Sequence, residues 1–420
     1  MGRKWVVQEA IFQRFDCCFM CMNSWLFLWV SLGLMLAPVA NSAERDRLAF
    51  MFLDSHLDTP LLVDFSALDM TKRYSWQDDY SQVDLPRMKE GGLDGGFWVI
   101  YTPQGPLTSD GYTRALQEAR QRNVTINKMV SRAPDEFAMA LKAQDAQVII
   151  EAGKRVVYKS IENAYPLGED LNLLDEFYAD GVRMIGLVHT RNNQFADSST
   201  DPSGQKWNGL SPLGKELIKR ANKLGMIVDL SHAHNDALDQ AITLSKSPII
   251  LSHSGASALY EHPRNVPDDL LVRLAKAGGV IQINSLSGYL RDLNVDRRRL
   301  PELFKIYSDY RTPAENQNAK HRDYVARRQA LDSKYPPEYA DISDVMDHFF
   351  HTLDLLGDDH IGFGLDWDGG GGVTNLQDVS ELPNVLKSFR ARGLNEKSIA
   401  KITGGNLLRL LAVAEAKSEK

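Results

Sequence analysis

Seven side chains define the chemistry open to this chain: His56, Asp58, Glu162, His189, His232, His253 and Asp366. Imidazole and carboxylate without thiolate is the donor set of a catalytic Zn2+ site, and this many donors suits two metals sharing one carboxylate. Each signal is ordinary alone. A His-x-Asp pair such as His56 and Asp58 is usually a hydrogen-bonded turn pair, and a Ser-His after a strand is usually a capping or core histidine. Glu162 by itself reads as a cap or salt-bridge carboxylate. The combination weighs differently, because burying so many ionisable groups in one place without a cation is costly.

Only a repeated architecture can bring residues this far apart to one point. From residue 44 onward, apolar or β-branched runs alternate with amphipathic stretches. Candidate strands span 48–56, 95–101, 155–163, 182–189, 226–232, 248–254, 278–284 and 360–368. Helical patterns such as SPLGKELIKRANKLG and PDDLLVRLAKAGG lie between them, several closed by Gly at the expected stop. Strand and helix repeated eight times predict an α/β fold, a (β/α)8 TIM barrel in one domain over 44–420. In such a barrel the C-terminal strand ends share one opening, and all seven side chains fall at or next to those ends. His56 and Asp58, at i and i+2, point the same way. Residues 291–345 break the rhythm with a charged helical insertion between strands seven and eight, either a solvated excursion or a lid over the mouth.

Composition bounds the partners. With 48 Lys+Arg against 55 Asp+Glu and a net charge of -7, the chain lacks the basic stripe that nucleic acid requires. Cys17, Cys18 and Cys21 all precede the apolar run 25–40, so neither a disulfide framework nor a Cys-based zinc site is expected in the body. That run is shorter than the ~20 residues of a spanning helix and ends in small residues. It reads as a secretory signal over 1–43, cleaved near Ala43, with translation starting at Met1, Met20 or Met22. A periplasmic or secreted protein is expected, an uncleaved N-terminal membrane anchor being the alternative.

The runs DSHLDTP, SIEN, LVHTRNNQFADSS, GLSPLGKELIKRANKLGMIVDLSHAHNDAL, PIILSHSGASAL, HPRNVPDDLL and HIGFGLDWDG occur in order from about 50 to 410. As a set they resemble the membrane (renal) dipeptidase family of the amidohydrolase superfamily. The resemblance implies a zinc dipeptidase with two Zn2+ per chain and a bridging metal-bound hydroxide as nucleophile. It implies that His56 and Asp58 bind the first zinc, that Glu162 bridges both, and that His232 and His253 bind the second. It further implies that His189 contacts the scissile carbonyl oxygen, Asp366 handles the proton of the bridging water, and Arg264 with Tyr289 holds the substrate carboxylate. A homodimer is also suggested.

Rivals exist among the same residue types. His234 forms a His-x-His with His232, and Asp368 follows Asp366 on the same side. His360, His348, His351, His262 and His321 read as structural, and the runs GGLDGG and DGGGG lack the spacing of a phosphate cradle. Where several relatives carry Gly-Gly-His-Ser after the bridging Glu, this chain has Asn163-Ala164-Tyr165-Pro166, and Leu61 stands in place of an aromatic. Both departures bear on the side-chain pocket, hence on which dipeptides are preferred and whether a C-terminal D-residue is accepted. The alternatives are an amidohydrolase acting on N-acyl amino acids or β-lactams, and a metal-free scaffold.

Overall fold

Eight parallel strands run in sequence order around one sheet. They are β1 (Leu53–Leu57), β2 (Gly95–Tyr101), β3 (Arg155–Glu162), β4 (Val182–Gly186), β5 (Ile227–Asp229), β6 (Ile250–Ala256), β7 (Val280–Ile283) and β8 (Ile361–Phe363). The structure is a computed structural model that describes residues 50–66, 68–310 and 316–419. The expected signal segment, with Cys17, Cys18, Cys21 and the cleavage site at Ala43, lies outside the described residues.

Every residue of β1 to β8 is buried, which is why these strands read as near-continuous apolar runs rather than as an alternation. The sheet closes nearly completely. Between β8 and β1 the ladder gives way to a bridge from Leu57 to Trp367, with Asp58 N donating to Trp367 O at 2.9 Å. The Ser55 hydroxyl crosses the same seam to Phe363 O at 3.2 Å. Two short strands missed by the sequence pattern, Phe137–Met139 beside β3 and Asn265–Val266 beside β6, extend the sheet at its margin.

The helices follow from local signals. Pro212–Leu224 starts at Ser211, whose side chain accepts from Gly214 N, and stops at Gly225 with φ 80°. Ser109–Arg132 packs against β2 and the short strand Phe137–Met139 and is capped by Thr108. Among the described residues, no helix is long and apolar enough to cross a membrane.

The strands end earlier than the apolar pattern does. β4, β5 and β8 stop three residues before His189, His232 and Asp366, so these three side chains sit on the loops. At β5 the cause is local: Ser231 N turns back to the Asp229 carboxylate at 3.0 Å, and Ala233 N bonds to Leu230 O at 3.0 Å. A side-chain acceptor thus replaces the next rung of the ladder.

Between β7 and β8 the chain forms helices Arg299–Tyr310 and Gln317–Lys334. Leu62, Tyr80, Ile306, Tyr310, Tyr324 and Leu331 bury one another in a small separate core. The Arg328 guanidinium lies 4.0 Å from the Tyr80 ring centroid and donates to Tyr324 Oη at 2.9 Å. The segment is therefore packed onto the helix Thr59–Ser66 that follows Asp58, rather than a solvated excursion.

Candidate metal centre

At the C-terminal mouth the last residue of β3, Glu162, meets four imidazoles. Its Oε1 lies 3.0 Å from His232 Nε2, 3.5 Å from His56 Nε2, 3.5 Å from His253 Nε2 and 3.7 Å from His189 Nε2. Asp58 reaches the same point, with Oδ2 3.5 Å from His56 Nε2. Three donor groups could each hold a cation: His56, Glu162 and His253; Glu162, His189 and His232; and His56, Asp58 and Asp366. Glu162 is common to the first two, so two metals would share it. These groups differ from the pairing the family resemblance implies, since His253 falls with His56, and His189 joins His232.

The residues fit a cation. His56 Nε2 and Asp58 Oδ1 are buried and make no hydrogen bond, an unfavourable condition unless something else meets them. His232 Nε2 and His253 Nε2 approach to 2.8 Å, both aimed at the same carboxylate. Nitrogen and oxygen donors without sulfur match a borderline divalent ion.

Electrostatics sort the groups by charge state. Burial raises the Glu162 pKa, but His56 and His189 outweigh it and hold the carboxylate well below its usual range. Burial lowers the His56 pKa, yet Glu162 and Asp58 carry it well above normal. His232 and His253 go the other way, pushed well down by burial with Arg264 adding to it, which leaves neutral imidazoles suited to ligation. Burial drives Asp366 well above the ordinary carboxylate range, reinforced by the Asp58 and Glu162 charges and opposed by His56 and Arg264.

Asp366 also has φ 62°, the left-handed region, and its carbonyl accepts from Gly369, Gly370 and Gly371 N at 3.1, 3.2 and 2.8 Å. That loop explains the glycine run. A Cβ on Gly369 would lie 2.1 Å from Asp58 Oδ2, and one on Gly371 1.9 Å from Leu365 O.

Arg264 is 1% exposed, and its fork is already engaged. Nη1 donates to Ser231 O and Nη2 to His253 O at 3.0 Å, with His232 Nε2 3.3 Å from Nη2. Nε is buried without a hydrogen bond, and Cζ lies 5.4 Å from the Tyr289 ring centroid. Burial raises the Tyr289 pKa against the neighbouring Arg264 charge.

The rivals fall elsewhere. His234 caps helix Asn235–Leu244, accepting from Asp236 N at 3.2 Å, and meets Gln205 Nε2 at 2.8 Å. Asp368 turns to Thr59 Oγ1 at 2.6 Å and Gln82 N at 2.7 Å. His360 meets Gly279 O, His348 meets Leu290 O, and His351 meets Asp268. His262 is half-buried, its ring 4.6 Å from that of Tyr289, and its Nδ1 accepts from Arg264 N. Asn163 has φ 71°, and its Oδ1 accepts from Tyr165 N and Asn193 Nδ2 at 3.2 and 3.0 Å, which fixes the departing loop after Glu162. Leu61 packs with Val99 and Tyr101, and the Tyr101 ring lies 4.9 Å from His189, so an aromatic does flank the mouth from β2. Sequence reasoning passed over Tyr101 and Asp54; the latter accepts from His56 N at 2.7 Å and Leu365 N at 3.0 Å, and its pKa is raised by burial to about 7.

A profile described as membrane dipeptidase (peptidase family M19) matches residues 43–420. Dipeptidase tcpJ of Claviceps purpurea is 32% identical over 339 residues, covering 79% of this chain and 69% of that protein. The crystal structure of the probable dipeptidase PvdM from Pseudomonas aeruginosa superposes with a TM-score of 0.75 at 29% identity, covering 90% of this chain and 98% of that one. A metallopeptidase from Rhodobacter sphaeroides, crystallised with a phosphinate mimic of the dipeptide L-Ala-D-Ala, gives 0.69 at 25% identity over 87% of this chain and 99% of that one.

Proposed function

Since the chain belongs to the membrane dipeptidase family, peptidase family M19, and is a metallo-dipeptidase, we propose that it is a dinuclear zinc enzyme hydrolysing the peptide bond of dipeptides. The observation that carries this is the single Glu162 Oε1 placed 3.0 to 3.7 Å from four imidazole nitrogens. His56, Asp58, Glu162, His232 and His253 would hold the cations, which supply Lewis acidity and a water acidic enough to ionise near neutral pH.

The chain's own groups do the rest. Asp366, whose carboxyl burial holds well above the usual carboxylate range, handles the proton: it takes one from the attacking water and returns it to the departing amine. His189, with Tyr101 against its ring, donates to the carbonyl oxygen as negative charge develops there, a contribution of ~3 kcal/mol for a well-placed donor. Arg264 Nε, buried with no partner of its own, and Tyr289 receive the substrate carboxylate. That recognition favours short substrates with a free C-terminus. The phosphinate mimic of L-Ala-D-Ala held by the Rhodobacter sphaeroides relative supports including dipeptides that end in a D-residue.

The test is metal analysis together with turnover of L,L and L,D dipeptides beside N-acyl amino acids and a β-lactam. Two zinc per chain and chelator-sensitive cleavage of dipeptides are expected. Preference for the N-acyl amino acids or the β-lactam would move the assignment to another amidohydrolase, and no bound metal at micromolar zinc would leave a scaffold. Export through the apolar run at 25–40 is proposed on the same footing; N-terminal sequencing of the mature protein tests it.

A further inference from the structure

Two of the ligand-bearing segments carry the same tripeptide, Leu230-Ser231-His232 and Leu251-Ser252-His253. Both serines turn to one buried carboxylate, Asp229 at the end of β5. Asp229 Oδ1 accepts from Ser231 N at 3.0 Å, Ser231 Oγ at 2.9 Å and Ser252 N at 3.0 Å, while Oδ2 accepts from Ser252 Oγ at 2.6 Å. The other side of Ser252 Oγ faces imidazole: His253 Nδ1 lies at 2.8 Å and His56 Nδ1 at 3.5 Å.

The protons can be placed one by one. A hydroxyl has one hydrogen and two lone pairs. As a carboxylate Asp229 carries no hydrogen and accepts from all four donors, the two backbone N–H groups and the two hydroxyls. The Ser252 hydrogen is thereby committed to Asp229 Oδ2. Its oxygen can then only accept from His253, which fixes that ring as the Nδ1–H tautomer and leaves the Nε2 lone pair facing His232 Nε2 at 2.8 Å and Glu162 Oε1 at 3.5 Å. His56 meets the same lone pairs at longer reach. A carboxylate or carbonyl behind a ligating imidazole is the usual way its tautomer and orientation are set.

We propose that Asp229, acting through the Ser252 hydroxyl, is the positioning carboxylate of the metal centre, holding His253 in the tautomer that presents Nε2 to the cation, with His56 Nδ1 at the outer reach of the same hydroxyl. This rests on reading His253 and His56 as ligands. Asp229→Asn tests it sharply. Three of the four hydrogen bonds end on Oδ1, so the amide oxygen must stay there, and the amide nitrogen falls opposite Ser252 Oγ. Ser252 then accepts from the amide and turns its hydrogen to His253 Nδ1. The ring is driven to Nε2–H, the wrong tautomer for ligation.

The experiment is long-range 1H–15N correlation on the metal-free full chain, with the His253 resonances assigned, alongside zinc affinity by chelator competition and thermal melts. Wild type is expected to show His253 as Nδ1–H, Asp229→Asn as Nε2–H, and Ser252→Ala as a mixture. Zinc affinity should fall roughly 10- to 100-fold in both variants, more in Asp229→Asn. A wild-type Nε2–H ring, or zinc affinity within about twofold in both variants, overturns the proposal. Should the wild-type chain bind no zinc while His253 shows the expected tautomers, the relay stands and the metal reading fails instead.

Discussion

Replacing Arg264 by Lys keeps the charge and removes the fork, which separates two duties the structure gives this residue. One duty is internal: Nη1 and Nη2 each satisfy a buried carbonyl, Ser231 O and His253 O, beside His232 and His253. A single ammonium reaches one of them, so one carbonyl is orphaned at ~1–3 kcal/mol. The other duty is toward substrate, where a lost charge-assisted bond to a carboxylate is worth ~1.5–3 kcal/mol, or ~10- to ~150-fold in kcat/KM. The assay compares a dipeptide with its C-terminal amide in wild type and Arg264→Lys. Loss of the internal bond lowers both substrates alike through the histidine ligands. Loss of the external bond lowers only the free acid, so the penalty for amidation should shrink by that factor in the variant. An identical amidation penalty in the two proteins would refute the carboxylate role, and unchanged melting and unchanged turnover together would refute the internal one as well.

Glu162→Gln keeps the shape but removes the charge that four imidazoles face. Zinc content should drop below two per chain and affinity weaken by roughly 3–5 kcal/mol, the usual cost of breaking a buried charge pair; full retention of both metals would sink the bridging assignment. Asp366→Asn is tolerated at φ 62° and should cut kcat ~10^2- to ~10^4-fold with zinc content intact, whereas loss of metal would make Asp366 a ligand rather than a proton carrier. Lys159 supplies a pH signature away from the centre. It donates to Asn123 Oδ1 at 2.6 Å, Asn127 Oδ1 at 3.1 Å and the Asp180 carbonyl, and burial lowers its pKa from 10.5 to about 8. The unfolded chain then holds the extra proton between about pH 8 and 10.5, so stability rises with pH across that window and is lost as pH falls through about 8. The difference in unfolding free energy between wild type and Lys159→Met should grow by up to ~3 kcal/mol over it; a flat difference would show that the amine is as well solvated folded as unfolded.

The sequence by itself determined the barrel and the chemical class of the site. Strands buried on both faces must be apolar nearly throughout, so the eight runs stand out, and a polar residue closing such a run, as His56 and Glu162 do, has few places to go but the common rim. Motif order did the same for His232 and His253. Local pattern could not show where the ladders stop, because Leu230 and Leu365 prolong the apolar runs while side-chain acceptors, Asp229 and Asp54, take the next backbone N–H groups. Nor could it show that Arg264 spends its fork on two carbonyls, that Asp368 turns to Gln82 while Asp366 turns to the metal site, or that one Ser252 hydroxyl serves two histidines. These are contacts between residues distant in sequence. Their geometry exists only once the barrel has closed and every buried donor has had to find an acceptor.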